Sequence, residues 1–199
     1  MSKFLHDIGV EQIPENDVIQ TIKIAEIPTR VLMQKWIGYR LLFQKEDIIH
    51  ILTELKNKGA ASLSPENYEI QRIESGLPAA RHELTEDYTP LETGFQWAIS
   101  ADKGCYTGQE VIARQVNFDK VTRQMIGLRM SELPDHGDII HPLNSDQPVG
   151  KITSSTISPR FGPIALGIVK RPHNQPGSEL RAGDREGNIL ATITPLPFQ

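Results

Sequence analysis

The sequence predicts an α+β protein that ends in a small β-barrel. Before residue 120, apolar positions recur first with the period of strands and then with the period of two helices. After residue 120, short apolar stretches alternate with Pro, Gly, Asn and Asp about every 8–12 positions, a spacing typical of small barrels. These observations predict two domains, residues 1–120 and 121–199.

The N-terminal part begins with strands. Thr21 to Ile27 alternates apolar and polar positions, and we expect Pro28 to end this strand. Residues 31–43 are rich in β-branched, aromatic and aliphatic side chains, so they predict one long strand or two strands interrupted at Gly38. These strands supply the sheet of the predicted α+β domain.

Two helices follow the strands. Asp47 is placed to cap a helix that runs to about Lys58 and stops at Gly59. Serine followed by proline is typical of a helix start, so Ser64 marks the cap of a second helix, which closes at Gly76. Both helices have glycine at the end, where a left-handed conformation is common.

The remaining predicted elements are an acidic loop and the barrel. Residues 79–102 lack a helical or strand period, and their carboxylates include Glu83, Glu86, Asp87, Glu92 and Asp102. Barrel strands are predicted at the apolar stretches 125–128, 138–140, 149–152, 164–169 and 189–193.

The bulk composition excludes several classes of protein. The chain has 199 residues, of which 38% are hydrophobic and 23% charged, and a net charge of −4 that does not favour nucleic acid overall. It has no apolar run of the ~20 residues that a membrane helix needs, and its first residues lack the apolar core of a signal peptide. With one cysteine and no internal disulfide, we expect a cytoplasmic protein without a membrane partner.

The most specific local pattern is the octapeptide KGCYTGQE at residues 103–110, which contains the cysteine. Thr107 and Glu110 fit a capping box, in which the hydroxyl accepts from an amide of the first helical turn and the carboxylate accepts from the cap amide. Glu110 and Arg114 stand one turn apart and predict an ion pair. We therefore expect a helix to begin directly after Thr107.

Cys105 is the candidate catalytic nucleophile. The positive end of the predicted helix and the Lys103 ammonium favour the thiolate form of a cysteine. Gly104 and Gly108 allow a ligand to approach the backbone closely. The alternative is that Cys105 is an inert, buried, small apolar side chain.

Glu74 is the second candidate and lies in the last turn of the second predicted helix. A carboxylate at a helix C-terminus opposes the helix dipole. This position favours a task such as accepting paired N–H donors from a heterocycle, because an ionised carboxylate only accepts. The alternative is a surface glutamate that pairs with Arg72 or Arg81.

The local charge pattern is less informative. Residues 103–129 include two acidic and five basic side chains. The basic ones are Lys103, Arg114, Lys120, Arg123 and Arg129. Such a zone suits a polyanionic ligand or RNA phosphates. On charge alone, a solvated surface is the simpler interpretation.

Other types of site have no supporting pattern. His136 and His141 are five positions apart, which puts them on opposite faces of a strand, so we expect no metal site. Ser154, Ser155 and Ser158 cluster in a predicted turn without the nucleophile elbow of a serine hydrolase. The sequence has neither a phosphate-binding loop nor a dinucleotide fingerprint.

Several segments together resemble one known family. In order, RIESGLP at residues 72–78, TPLETG at 89–94, KGCYTGQE at 103–110 and GKITSS at 150–155 are similar to folate-binding proteins of the YgfZ type. These proteins are relatives of the glycine cleavage T-protein, an aminomethyltransferase. The octapeptide is the most specific part of the resemblance, because T-proteins have a related lysine–glycine segment without the cysteine.

The resemblance implies a partial folate-binding domain before the barrel, with tetrahydrofolate or a derivative as the ligand. It assigns the pterin contact to Glu74 and a redox or covalent role to Cys105. Further folate contacts are implied at Lys103, Gly104, Tyr106, Gln109, Glu110 and Arg114. The implied roles are tRNA modification and maturation of iron–sulfur enzymes, so tRNA or an iron–sulfur protein is an expected partner.

The chain departs from this family at its start. Family members carry a further N-terminal half of the folate domain, which in aminomethyltransferases supplies a catalytic aspartate. We therefore expect either a truncated relative or a pocket completed by a second copy or a partner chain.

Three hypotheses follow from this comparison. The first is a folate-dependent accessory protein of the YgfZ type. The second is an aminomethyltransferase, for which Asp102 and Glu110 are the nearest acid–base carboxylates. The third is a non-enzymatic interaction module that has lost the ligand.

Overall fold

The computed structural model describes residues 2–9, 18–34, 38–100, 103–183 and 189–199. The chain forms two compact units, Met1–Ser64 and Pro65–Gln199. The predicted boundary at residue 120 falls inside the second unit, and as a division into domains it stays a prediction. The α+β class is confirmed by the helices, the sheet and the barrel. No helix within the described ranges is long and apolar enough to cross a membrane.

The first unit combines helices with an antiparallel sheet, whose order within the described residues is β1–β2–β3. Its elements are α1 (Ser2–Asp7), β1 (Ile19–Ile24), β2 (Ile27–Gln34), β3 (Gly38–Leu42) and α2 (Ile48–Asn57), with a 3-10 turn at Lys45–Asp47 before α2. Its core contains Ile8, Ile24, Val31 and Ile51. Helix α2 therefore packs Ile51 against the sheet.

The hairpin between β1 and β2 corrects one prediction. The chain turns at Ala25 and Glu26, whose φ angles of 49° and 64° are those of a tight hairpin turn. The strand predicted over residues 21–27 therefore ends earlier, and Pro28 lies within β2 opposite Lys23. Glycine and asparagine, the usual markers of such a turn, are absent here, so the local pattern does not predict it.

The predicted ends of the other elements are confirmed. β3 begins at Gly38, the predicted interruption, with a φ of 101°. The helix predicted behind Asp47 is α2, and Gly59 follows it with a φ of 98°. Asp47 is the N-cap residue, but its side chain makes no capping hydrogen bond, so the predicted side-chain cap is wrong. Helix α3 spans Pro65–Glu74, as the serine–proline start predicts, and Gly76 follows with a φ of 67°. Positive φ angles cause little steric strain in glycine because it has no Cβ.

The second unit is built on an antiparallel barrel, which confirms the predicted C-terminal architecture. Within residues 103–183 and 189–199 the strand order is β4–β7–β6–β5–β8–β9, and β9 pairs with β4 to close it. The strands are β4 (Arg123–Met130), β5 (Ile139–Pro142), β6 (Gly150–Ser158), β7 (Gly162–Lys170), β8 (Glu179–Ala182) and β9 (Ile189–Thr194). β8 lies outside the predicted stretches, because Leu180 and Ala182 alternate with charged residues.

Helix α3 packs on the outside of this barrel. Alternate residues of β7 belong to different clusters, with Ala165 and Val169 inside the barrel and Leu166 outside it against Ile73 of α3. Burial on both faces explains why this strand is continuously apolar. The packing also brings the last residue of α3, Glu74, against the barrel.

Candidate functional site

Glu74 is held at the barrel surface by residues from the end of β6. Its Oε1 accepts a hydrogen bond from Ser158 Oγ at 2.6 Å, and its Oε2 lies 3.4 Å from Arg160 Nη1. The Glu74 side chain is only 12% exposed. The alternative prediction, a surface glutamate paired with Arg72 or Arg81, is therefore wrong in its partner, which helix packing supplies from a distant part of the chain.

The Ser158 hydroxyl has a fixed orientation. Its oxygen accepts from the backbone N–H of Arg160 and of Phe161, both at 3.0 Å. Because a hydroxyl has one proton and two lone pairs, its proton is left to point at Glu74. The carboxylate is thus oriented from one side, and an ionised carboxylate has further lone pairs for a ligand.

An aromatic ring supports the guanidinium beside Glu74. Arg160 lies over the Phe161 ring at 4.7 Å, and Arg129 lies over the same ring at 5.0 Å. Phe161 in turn packs against Phe198, with ring centroids 5.9 Å apart. Cation–π contacts of this kind hold a guanidinium in place while its edge stays hydrated.

A buried network joins α3 to the acidic loop and to β6. Arg72 is 4% exposed and donates to Glu83 at 3.2 Å, to Ser154 Oγ at 2.7 Å and to the Leu77 carbonyl at 2.6 Å. Ser154 Oγ donates onward to Glu83 at 2.7 Å, and the Ala79 amide donates to Glu83 at 3.0 Å. Each buried charge therefore has several partners, as burial of ions requires.

The same guanidinium sets the acidity of Glu69. Arg72 Nε donates to the two carboxylate oxygens of Glu69 at 2.9 and 3.0 Å. These hydrogen bonds hold the pKa of Glu69 below its usual value, although partial burial of the carboxyl acts in the opposite direction.

The end of the acidic loop is held in a similar way. Glu92 is 3% exposed and accepts from Arg123 Nε of β4 at 2.8 Å and from the Thr89 amide at 2.9 Å. Its own carbonyl accepts from the Met125 amide at 2.7 Å. We call Glu74, Glu83 and Glu92, with the residues that donate to them, the glutamate junction.

Helix α4 begins one residue later than predicted. It spans Gln109–Asn117, and its N-cap is Gly108 with a φ of 89° and no side-chain cap. The predicted capping box is therefore wrong, because the left-handed glycine leaves Thr107 one position too early. The predicted ion pair is confirmed, since Arg114 Nη2 lies 3.0 Å from Glu110 Oε1.

The cysteine segment, which we define as residues 103–117, is open to solvent. Cys105 is exposed, so the interpretation as a buried side chain is wrong. The Lys103 ammonium lies over the Tyr106 ring at 4.7 Å. Helix α4 buries none of its residues, and Val111 and Val116 are more than half exposed.

The folate site predicted from sequence has two parts, Glu74 and the cysteine segment. None of the hydrogen bonds or ion pairs found among the described residues connects them. Asp102, a candidate of the aminomethyltransferase hypothesis, lies outside the described residues. The folate contacts predicted in the cysteine segment, and the catalytic role of Cys105, stay predictions.

Two smaller expectations differ in detail. The serines lie in β6 and not in a turn, with Ser154 and Ser158 bound to Glu83 and Glu74. His136 precedes β5, and its Nδ1 contacts the Thr153 carbonyl at 2.8 Å. In the part of the chain that is described, no group of three or more His, Cys, Asp or Glu residues is arranged to hold a metal ion.

Sequence reasoning did not identify Ser158 and Arg160 as parts of the Glu74 site. The usable signal is the spacing of Ser154 and Ser158, since residues four apart on a strand share a face. Arg160 has no such signal, because it lies in the β6–β7 turn and meets Glu74 only after α3 has packed on the barrel.

Comparison with known proteins extends these observations. Residues 123–199 match the family of the glycine cleavage T-protein C-terminal barrel domain. The mitochondrial aminomethyltransferase of Dictyostelium discoideum is 33% identical over 64% of this chain and 33% of its own length. The aminomethyltransferase of Listeria welshimeri is 27% identical over 98% of this chain and 55% of its own length.

A solved structure agrees with these relatives at the level of the fold. The crystal structure of glycine cleavage system aminomethyltransferase T from Bartonella henselae superposes with a TM-score of 0.78 at 19% identity, over 100% of this chain and 56% of that one. The chain thus spans between about a third and just over half of the length of these proteins. In sequence, the chain is similar to aminomethyltransferases, its fold is that of a T-protein, and its residues 123–199 match the T-protein C-terminal barrel domain.

Proposed function

We propose that the second unit forms part of a tetrahydrofolate site of the T-protein type, in which Glu74 accepts hydrogen bonds from the pterin ring. The observation that carries the proposal is the geometry of this carboxylate. It is largely sheltered and oriented by Ser158, and it belongs to the residue at which the family resemblance implies the pterin contact. A pterin offers two adjacent N–H donors, which suit the two oxygens of a carboxylate.

The strength expected of this contact follows from its surroundings. Hydrogen bonds to a charged group contribute about 1.5–3 kcal/mol each, and shelter from water keeps them near the upper end of that range. Glu74 is 12% exposed, which leaves an edge for a ligand while excluding most solvent. We therefore expect Glu74 to dominate the affinity of the described part of the site.

The activity we propose for this site is transfer of the methylene carbon of an aminomethyl group to tetrahydrofolate, with the nitrogen leaving as ammonia. This activity fits the name aminomethyltransferase that the relatives carry. A second candidate is the accessory role of the YgfZ type, with tRNA or an iron–sulfur protein as the client. The exposed thiol of Cys105 favours this second role, since a redox or covalent centre must be reachable. In either case, we propose that Lys103 and Arg114 attract an anionic part of the ligand.

Calorimetric titration with tetrahydrofolate tests the site. We expect micromolar binding by the wild-type chain and a loss of at least about tenfold in Glu74→Gln, because the amide replaces one acceptor with a donor. Glu132→Gln, at an exposed glutamate outside the glutamate junction, is the matched control and is expected to bind normally. Absence of heat from the wild-type chain would contradict the proposal and favour the interaction module without a ligand.

A glycine cleavage assay that supplies the other components separates the two activities. Methylene transfer to tetrahydrofolate supports the aminomethyltransferase. Folate binding without transfer, combined with folate protection of Cys105 against iodoacetamide, supports the accessory role instead.

A further inference from the structure

We propose that Arg160 is a specificity-determining residue, which selects pteridines with a 4-oxo group by donating to that oxygen beside Glu74. The inference rests on the proposed folate site and adds to it the chemical edge of the ligand that is recognised. It follows from the contacts of the β6–β7 turn with the end of α3.

Glu74 and Arg160 present their polar atoms in a defined order. Ser158 Oγ donates to Oε1 of Glu74 at 2.6 Å, whereas Arg160 Nη1 lies 3.4 Å from Oε2, the other carboxylate oxygen. A ligand that approaches this edge therefore meets an acceptor, a second acceptor and then a donor. The 2-amino group, the ring N3–H and the 4-oxo oxygen of a pterin form the complementary series of donor, donor and acceptor.

Arg160 has donors to spare for this contact. Its side chain is 68% exposed, and its hydrogen bond to Glu74 uses one of the five N–H donors of a guanidinium. The Phe161 ring supports the guanidinium at 4.7 Å, and the Arg160 backbone N–H is bound by Ser158 at 3.0 Å. The guanidinium is thus held beside the carboxylate and keeps N–H donors for a ligand.

The consequence is discrimination against 4-amino pteridines. A 4-amino group would direct its hydrogens at the guanidinium, so that donor meets donor and both lose a partner. The 4-amino ring also has no hydrogen on N3, so it forfeits one of the two hydrogen bonds to Glu74, and the contribution of Arg160 is the part of the discrimination that disappears when Arg160 is replaced. Rejection through an unpaired donor is an effective source of specificity, because the wrong ligand forfeits a hydrogen bond that water could have made. A residue that merely tied the turn to α3 would have no such effect.

The test compares tetrahydrofolate with its 4-amino analogue by calorimetry. For the wild-type chain we expect the 4-oxo compound to bind about 10- to 100-fold more tightly. In Arg160→Gln this ratio of affinities is expected to fall by at least about threefold, because the amide can turn its carbonyl towards the 4-amino group. Part of the ratio remains in the variant, because the 4-amino ring has no N3–H to donate to Glu74. Arg160→Lys keeps a charged donor and is expected to restore most of the ratio.

Arg129→Gln is the matched control, since Arg129 lies over the same ring and its hydrogen bond goes to the Gln199 carbonyl and not to Glu74. Its ratio should equal that of the wild-type chain. An unchanged ratio in Arg160→Gln, with folate binding intact, would overturn the role of Arg160 and leave the folate site standing. Absence of folate binding by the wild-type chain would overturn both.

Discussion

The glutamate junction and the cysteine segment belong to the same compact unit, yet they are stabilised in opposite ways. Glu83 and Glu92 are almost fully buried and bound by arginines, whereas the ion pair of α4 is exposed to solvent. The acidic loop has no helical or strand period in its sequence, but Glu83 and Glu92 bind it to residues of the barrel. The octapeptide is the most distinctive sequence in the chain, but α4 buries no residue.

This difference separates residues that the fold requires from residues whose identity is explained by contact with another molecule. A buried carboxylate is tolerated only with close partners, so the residues of the junction are required by the fold. An exposed motif contributes little to folding, so its composition is better explained by what it meets from outside. The contrast can be tested by removing charges from each region in turn.

The largest effect is expected for Glu83→Ala. This change removes the fully buried countercharge of the Arg72 guanidinium and leaves Glu69, which is partly exposed, as its remaining carboxylate. We expect the free energy of unfolding to fall by about 3–5 kcal/mol. Urea denaturation, with the transitions of the two units fitted separately, measures the loss. The double variant Arg72→Met, Glu83→Leu should recover much of it, because an apolar pair carries no charge to desolvate. A loss below about 1 kcal/mol would show that the pair is not essential to the junction.

A smaller effect is expected from Glu69 and depends on pH. Because the hydrogen bonds from Arg72 lower the pKa of Glu69 in the folded chain, its contribution to stability is complete above the usual carboxyl pKa. That contribution is lost as the pH falls through the lowered value. Glu69→Gln should therefore flatten the acid limb of a plot of unfolding free energy against pH. Glu132→Gln should leave this limb unchanged, and an equal effect of the two variants would contradict the assignment.

The smallest effect is expected for Glu110→Ala in the cysteine segment. The side chains of Glu110 and Arg114 are 86% and 61% exposed, so their pairing and the helix dipole together stabilise the unit by less than about 1 kcal/mol. The same denaturation experiment checks this. A loss comparable with that of Glu83→Ala would mean that α4 has contacts essential to folding, and the contrast between the two regions would disappear.

Prediction from sequence succeeded where the signal is local. Ser64 and Pro65 mark the start of α3 and Gly76 its end, because caps and left-handed glycines act within one turn of backbone. The barrel follows from apolar stretches of the right length and spacing. The hairpin turn is not predicted because Ala25 and Glu26 adopt left-handed conformations that are unusual for such residues. The start of α4 is predicted one residue too early because the N-cap is the left-handed Gly108 and not Thr107.

The candidate site also has features that local sequence predicts and features that depend on tertiary packing. The sequence by itself determined that Glu74 ends a helix, that Cys105 stands before another, and that a barrel follows. Only the tertiary structure decided that Glu74 meets Ser158 and Arg160, which lie more than 80 residues later in the chain. The physical reason is that hydrogen bonds and ion pairs act over a few ångströms, so partners this distant in sequence are chosen by the packing of α3 on the barrel.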